Sequence, residues 1–242
     1  MKKPLLFAVV LAWTASVAEA GGIHLAWNDC LGAGGATNRN FACDTNVGDN
    51  DLFVSFDPPE DIPDISGSNP LIDMQSAGSS LPQWWQLRNI GSCRQTSISA
   101  LNVPTGTCPD TWAGAGVANV AAWITTLVVT STPLNRARLL GSISVPTSMA
   151  QAVHPGTEYL CMQIRIDNAK TIATACTGCD VPYCLVLADV DLYTNSSAWY
   201  RLTSDFQDNF CLWQGGDIGG VGCPAATPTV NRAWGQLKAI YR

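Results

Sequence analysis

The chain has 242 residues, a formal net charge of −6, and 13% charged against 47% hydrophobic side chains. A negative balance excludes a nucleic-acid surface, which needs a basic footprint, and opposes adsorption to an anionic membrane. Lys and Glu, which dress exposed helices, are scarce beyond residue 20, while Gly, Thr, Ser, Val, Ile and Trp abound. That is the composition of a turn-rich β protein.

Residues 1–20 read as a secretory signal. Lys2 and Lys3 open it, Leu5 to Trp13 is the apolar run, and Ala18-Glu19-Ala20 supplies a small-residue cleavage site before Gly21. The run is shorter than the ~20 residues of a membrane span. The richest later segment, Ala115 to Thr130, is interrupted by Asn119, Thr125 and Thr126, so no transmembrane span is expected. Losing Lys2, Lys3 and Glu19 with the signal leaves 222 residues at a net charge of −7. That length can bury one core, placed at 21–228.

Candidate strands follow in order: Ile23–Trp27, Leu52–Phe56, Leu71–Gln75, Trp84–Arg88, Thr96–Asn102, Ala121–Thr130, Ala137–Val145, Glu158–Asp167, Cys184–Tyr193, Trp199–Leu202 and Phe210–Gln214. Two of them alternate. In Tyr159–Asp167, Leu160, Met162, Ile164 and Ile166 share one face, and Tyr159, Cys161, Gln163, Arg165 and Asp167 the other. In Cys184–Tyr193, Val186, Ala188, Val190 and Leu192 oppose Asp189, Asp191 and Tyr193. Pro- and Gly-rich turns punctuate the series, among them Asp57-Pro58-Pro59 and His154-Pro155-Gly156. Ala113–Trp123 is the one internal stretch that reads as a helix. The pattern predicts an all-β, antiparallel two-sheet sandwich or jelly roll. Residues 229–242 form a short C-terminal docking element, with Trp234, Leu237 and Tyr241 at helical spacing and Asn231 as N-cap. A sorting tag is the alternative for that ending.

Ten cysteines follow the signal: Cys30, Cys43, Cys93, Cys108, Cys161, Cys176, Cys179, Cys184, Cys211 and Cys223. An even number in an exported chain predicts five disulfides. The shortest loops would pair Cys30–Cys43, Cys93–Cys108 and Cys211–Cys223, each closure worth roughly 3 kcal/mol for a ~15-residue loop. Cys176-Thr-Gly-Cys179 also invites zinc or redox chemistry. Zinc lacks a second ligand pair at matching spacing, and a redox dithiol should open a helix, whereas Asp180-Val181-Pro182 follows here.

Asp44, Asn46, Asp49 and Asp51 form the densest oxygen cluster. They would be the ligands if a structural Ca²⁺ is bound, although the EF-hand spacing fails: Gly48 falls at loop position 5 and Ser55 at position 12. No other cofactor is expected. The stretch Asp57, Glu60, Asp61, Asp64 is broken by prolines and reads as a solvated loop. A Gly-x-Ser-x-Gly elbow is absent, and His24 and His154 are isolated. A hydrolase would therefore rest on an unlocated acid pair.

The remaining lead is aromatic. Adjacent Trp84 and Trp85 on a strand would face opposite ways, and Trp199-Tyr200 repeats the geometry. Exposed rings there would stack on sugars. Packing in the core is the competing reading. Asn195-Ser196-Ser197 matches a glycosylation acceptor. Leu81-Pro-Gln-Trp-Trp85, Asn89-Ile-Gly-Ser-Cys-Arg-Gln-Thr96 and the ending Trp234–Arg242 resemble a group of exported bacterial proteins, a likeness that assigns no function or site residue. The chain is thus expected to be a secreted, non-catalytic structural or interaction protein of the envelope or extracellular space, meeting a glycan or a cell-surface protein. Carbohydrate binding through exposed Trp is the first alternative, and an acid-pair hydrolase the second.

Overall fold

The computed structural model describes residues 22–124, 134–172, 176–203 and 208–215. The expected signal at 1–20, the C-terminal element at 229–242 and Cys223 lie outside them. Twelve strands are described: β1 (Ile23–Trp27), β2 (Asn38–Arg39), β3 (Asp49–Phe56), β4 (Ile62–Ser76), β5 (Ile98–Leu101), β6 (Val117–Ile124), β7 (Arg136–Ser144), β8 (Gln151–Val153), β9 (Tyr159–Asp167), β10 (Tyr183–Thr194), β11 (Trp199–Leu202) and β12 (Phe210–Trp213).

They make a two-sheet sandwich, as the composition predicts. One sheet has the order β1-β3-β9-β5; the other runs β2-β12-β10-β4-β7-β6, with β11 added to β10 and β8 to β4. Length explains the branching. β10 pairs through Tyr183–Val186 with β12 and through Val190–Tyr193 with β11 along the same edge. β4 likewise takes β8 near Ile62–Ile65 and β7 from Gly67 onward. Between the sheets, Leu25, Leu52, Val54, Ile164 and Ile166 meet Ile72, Met74, Leu139, Leu185, Leu187 and Val190. Fully burying one such side chain is worth about 1.5–3 kcal/mol.

Three expectations about elements change. Ala113–Trp123 is not a helix: Asp110 accepts hydrogen bonds from the Trp112 and Gly114 N–H groups and closes a turn, and β6 starts at Val117. Trp84–Arg88 is not a strand, because Gln83–Trp85 is a 3₁₀ turn entered from extended Pro82. The Leu71–Gln75 strand is only the end of a 15-residue one. Pro63, Gly67 and Pro70 disguise its first half. Pro70 is tolerated because Gly141 on β7 leaves room: a Cβ there would come within 2.6 Å of the Pro70 ring and 2.8 Å of Met162 Sδ.

Bulges revise the two alternating strands. The β10–β4 register slips between Leu187 and Asp189. Leu185 and Leu187 therefore face the core with Val190 and Leu192, while Val186 packs outside with Cys184, Phe210 and Leu212. The β3–β9 register slips opposite Cys161, turning Cys161 into the core with Met162 and sending Leu160 outward against Phe53. One extra residue in each strand exchanges the two faces beyond it.

Candidate functional site

Trp84 and Trp85 are fully buried, which removes them as ligand contacts. They belong to an aromatic cluster at one end of the sandwich. Trp85 stacks on Tyr183 at 3.9 Å, Trp84 meets Trp213 at 4.9 Å, and Trp213 meets Trp27 and Phe41 at 5.7 and 4.0 Å. Three indole N–H groups are used inside: Trp84 donates to Thr171 Oγ1, Trp213 to the Cys179 carbonyl and Trp27 to the Leu212 carbonyl, while that of Trp85 is buried without a partner among the described residues. Arg94, with no exposure, lies 4.2 Å over the Trp84 ring. Its guanidinium donates to the carbonyls of Trp84, Asp167 and Ala169. Burial lowers its pKa to about 10, against the opposing pull of Asp167.

The cysteines pair across the fold rather than along the chain. Disulfides join Cys30 to Cys108, Cys43 to Cys179 and Cys93 to Cys176, and Cys184 is disulfide-bonded as well. The local pairs Cys30–Cys43 and Cys93–Cys108 are therefore wrong. So is the assignment of Cys161 and Cys211 to disulfides, because both are buried free thiols. Cys161 Sγ lies 3.0 Å from Ser68 Oγ, and Cys211 Sγ donates to the Leu25 carbonyl at 3.0 Å. Burial pushes the Cys161 thiol up to about 12 and the Cys211 thiol well above its ordinary value. Cys176 and Cys179 bond to two different loops, so in this state they are neither a dithiol pair nor zinc ligands.

The proposed calcium ligands diverge. Asp51 receives Arg165 in a two-pronged ion pair at 2.8 and 2.9 Å, and Asp49 lies 3.5 Å from the same guanidinium. Asn46 accepts from the Ile172 N–H, and Asp44 is exposed. Among the described residues no group of three or more His, Cys, Asp or Glu is placed to hold a metal.

Other carboxylates serve the backbone. Asp29 accepts from the N–H groups of Cys30, Thr107 and Cys108 and from the Thr107 hydroxyl. Burial works against its charge, yet those hydrogen bonds outweigh it and hold the carboxyl below its ordinary 3.8. Glu158 accepts from Leu31, Gly32 and the Ser55 hydroxyl. Asp61 and His154 form an exposed pair at 2.8 Å.

The feature that remains is the outer face of the eight-stranded sheet. Register sets its rows. Trp199, Tyr193, Gly67, Ser144 and Val117 lie in line across β11, β10, β4, β7 and β6. Beside them run Arg201, Asp191 and Asn69, then Asp189, Leu71, Leu140 and Ala121, then Asp73 and Arg138. The charges are matched: Arg138 holds Asp73 at 2.6 and 2.9 Å, and Arg201 reaches Asp191 at 3.0 Å and Asp189 at 3.4 Å. Burial lifts the Asp189 carboxyl above its ordinary value, with Arg201 opposing and Asp191 reinforcing the shift. Trp199 is 53% exposed and Tyr193 37%. Tyr200, its neighbour on β11, turns inward and packs on the core. Trp199 is thus the one predicted aromatic ligand residue that stands free. Tyr193 and Asn69 were not predicted, although the alternation in β10 already set Tyr193 on the polar face with Asp189 and Asp191.

No protein-family model and no curated protein matches the chain. Among solved structures it is similar to a cohesin module from a family 33 glycoside hydrolase of Clostridium perfringens. That likeness is at 8% identity and a TM-score of 0.35, over 76% of this chain and 90% of that one. It is also similar to the second type II cohesin module of a cellulosomal adaptor scaffoldin from Acetivibrio cellulolyticus, at 11% identity and a TM-score of 0.32, over 77% and 91% of the two chains.

Proposed function

We propose that the mature chain is an exported, non-catalytic binding domain of the envelope or extracellular space, and that the outer face of the eight-stranded sheet is its contact surface. One observation carries the reading. Strand pairing lines up on that face an aliphatic row, Leu71, Leu140 and Ala121, with carboxylates and guanidiniums already matched around it. A surface whose charges are paired beforehand loses less on being covered than one with lone charges. Among the described residues the free thiols, Cys161 and Cys211, are buried and so are not offered to a partner at this face. The acid-pair hydrolase has less support, because Asp29, Asp51, Asp73 and Glu158 are held by backbone N–H groups or arginines.

The test is sedimentation of oxidised protein, residues 21–242, with the insoluble envelope fraction of the cells that make it. Saturable binding is expected. Leu71→Glu should weaken it at least tenfold, and Val47→Glu, at an exposed position on β3's entry loop, should leave it unchanged. Equal effects of the two variants, or no saturable binding, would refute the assignment of this face.

A further inference from the structure

Resting on that reading of the face, we infer that Tyr193 and Trp199 form a platform for a neutral polysaccharide chain. The two residues are direct cross-strand partners on β10 and β11, so their Cβ atoms stand about 5 Å apart on one side of the sheet. Both rings are open to solvent at a sheet surface, where a Tyr or Trp ring in a monomeric core would be covered. Tyr193 leans over Gly67, whose missing side chain leaves the ring edge 3.9 Å from the ideal Cβ position. Asn69 donates an amide N–H to Tyr193 Oη at 3.3 Å and keeps its carbonyl oxygen for another donor. Arg201 lies 5.7 Å from the centre of the Trp199 ring.

The turn beside the platform is braced. The β10–β11 turn is tied by the Thr194 hydroxyl, which meets Ser196 Oγ at 2.8 Å and accepts from the Ala198 N–H at 3.1 Å. Asn195 anchors the turn from outside, its amide donating to the Thr147 carbonyl at 2.8 Å and its N–H to the Asp64 carbonyl. A turn held this way loses little backbone freedom when a ligand arrives.

Chemistry selects the occupant. An aromatic face accepts the C–H side of a pyranose ring, and carboxamide, hydroxyl and carboxylate groups at its border accept and donate to ring hydroxyls. Charge selects further. Beside the rings a single guanidinium, Arg201, already serves two carboxylates, Asp189 and Asp191. Arg138 is engaged by Asp73, and Arg136 lies at the far end of β7 opposite Gln75. Among the described residues no spare cation stands at the platform, so phosphate, sulfate and uronate groups meet net negative charge from the side chains described there. A neutral chain meets none of that opposition.

The experiment is affinity electrophoresis and calorimetry of the oxidised mature chain against soluble β-glucan, xylan, mannan and chitin oligomers, with polygalacturonate as the acidic comparison. Binding to a neutral member is expected. Trp199→Ala and Tyr193→Ala should each weaken it at least tenfold without lowering Tm, since neither ring supports the core. Asn69→Ala should weaken it several-fold. Preference for polygalacturonate, or neutral binding that survives both ring variants, overturns the inference. If no glycan binds while Leu71→Glu-sensitive envelope binding persists after periodate destroys the saccharides, the inference falls and the contact-face reading stands. If envelope binding is also missing, both fall.

Discussion

Asp29 shows how much a single residue can hold in place. Its carboxylate ties the end of β1 to the loop that carries Cys108, through three backbone N–H groups and one hydroxyl. Nothing in the sequence marks it, because its partners at Thr107 and Cys108 are nearly eighty positions away. Its depressed pKa has a definite consequence for acid stability. A carboxyl with a folded-state pKa below the unfolded 3.8 stabilises the fold above that value and loses the contribution as pH falls through the lower folded value. The gap in unfolding midpoint between wild type and Asp29→Asn should therefore be wide at about pH 6 and narrow at about pH 2.5. Urea titrations at the two pH values check this; a gap independent of pH would remove the carboxylate charge from the account. Arg94 is equally unmarked in the sequence, and the structure buries it among carbonyls and over an indole.

At the scale of elements, composition carried the class and alternation carried the strands, but single-residue slips hid the faces. The Tyr159–Asp167 and Cys184–Tyr193 patterns are real strands, and only the bulges beside Cys161 and Ala188 exchange their sides. A bulge is set by the partner strand, so one strand's sequence does not reveal it. β4 was masked for a related reason, since a proline inside a central strand argues against a strand unless the neighbour gives way. Gly141 is the residue that gives way. Gly141→Ala should cost about 1–3 kcal/mol by overpacking, and the cost should shrink by at least about 0.5 kcal/mol in a Pro70→Ala background, as expected for residues in contact. Denaturant unfolding of the four proteins closes the cycle; strict additivity would show that the ring is not what the new methyl meets.

For the whole molecule, the sandwich was legible because scarce Lys and Glu, frequent turns and period-two runs all agree. The candidate face was only half legible: Trp199 stood out by type, whereas its companion on β10 emerges once register aligns the two strands. The cysteine pairing was not legible at all, since proximity along the chain says little about proximity across two sheets. The structure makes that pairing measurable. In folded protein, iodoacetamide should label neither Cys161 nor Cys211, whose thiols are buried and hard to ionise. In denaturant without reductant both should label, while Cys30, Cys43, Cys93, Cys108, Cys176 and Cys179 stay protected. Peptide mapping distinguishes the sets, and native labelling at either buried thiol would contradict the packing described.

The three long bridges interleave: Cys30 passes Cys43 and Cys93 to reach Cys108, while those two reach Cys179 and Cys176. If the chain is exported N-terminus first, as its opening residues lead one to expect, Cys30 and Cys43 enter the oxidising compartment together well before Cys108. The quickest bond is then a wrong one, and the native set is reached by reshuffling, in which a thiolate must attack an existing bridge. Cys161 and Cys211 supply such attackers while the chain is open. Closing the sandwich buries both, so among the described residues no free thiol is left in reach of the bridges once the core is complete.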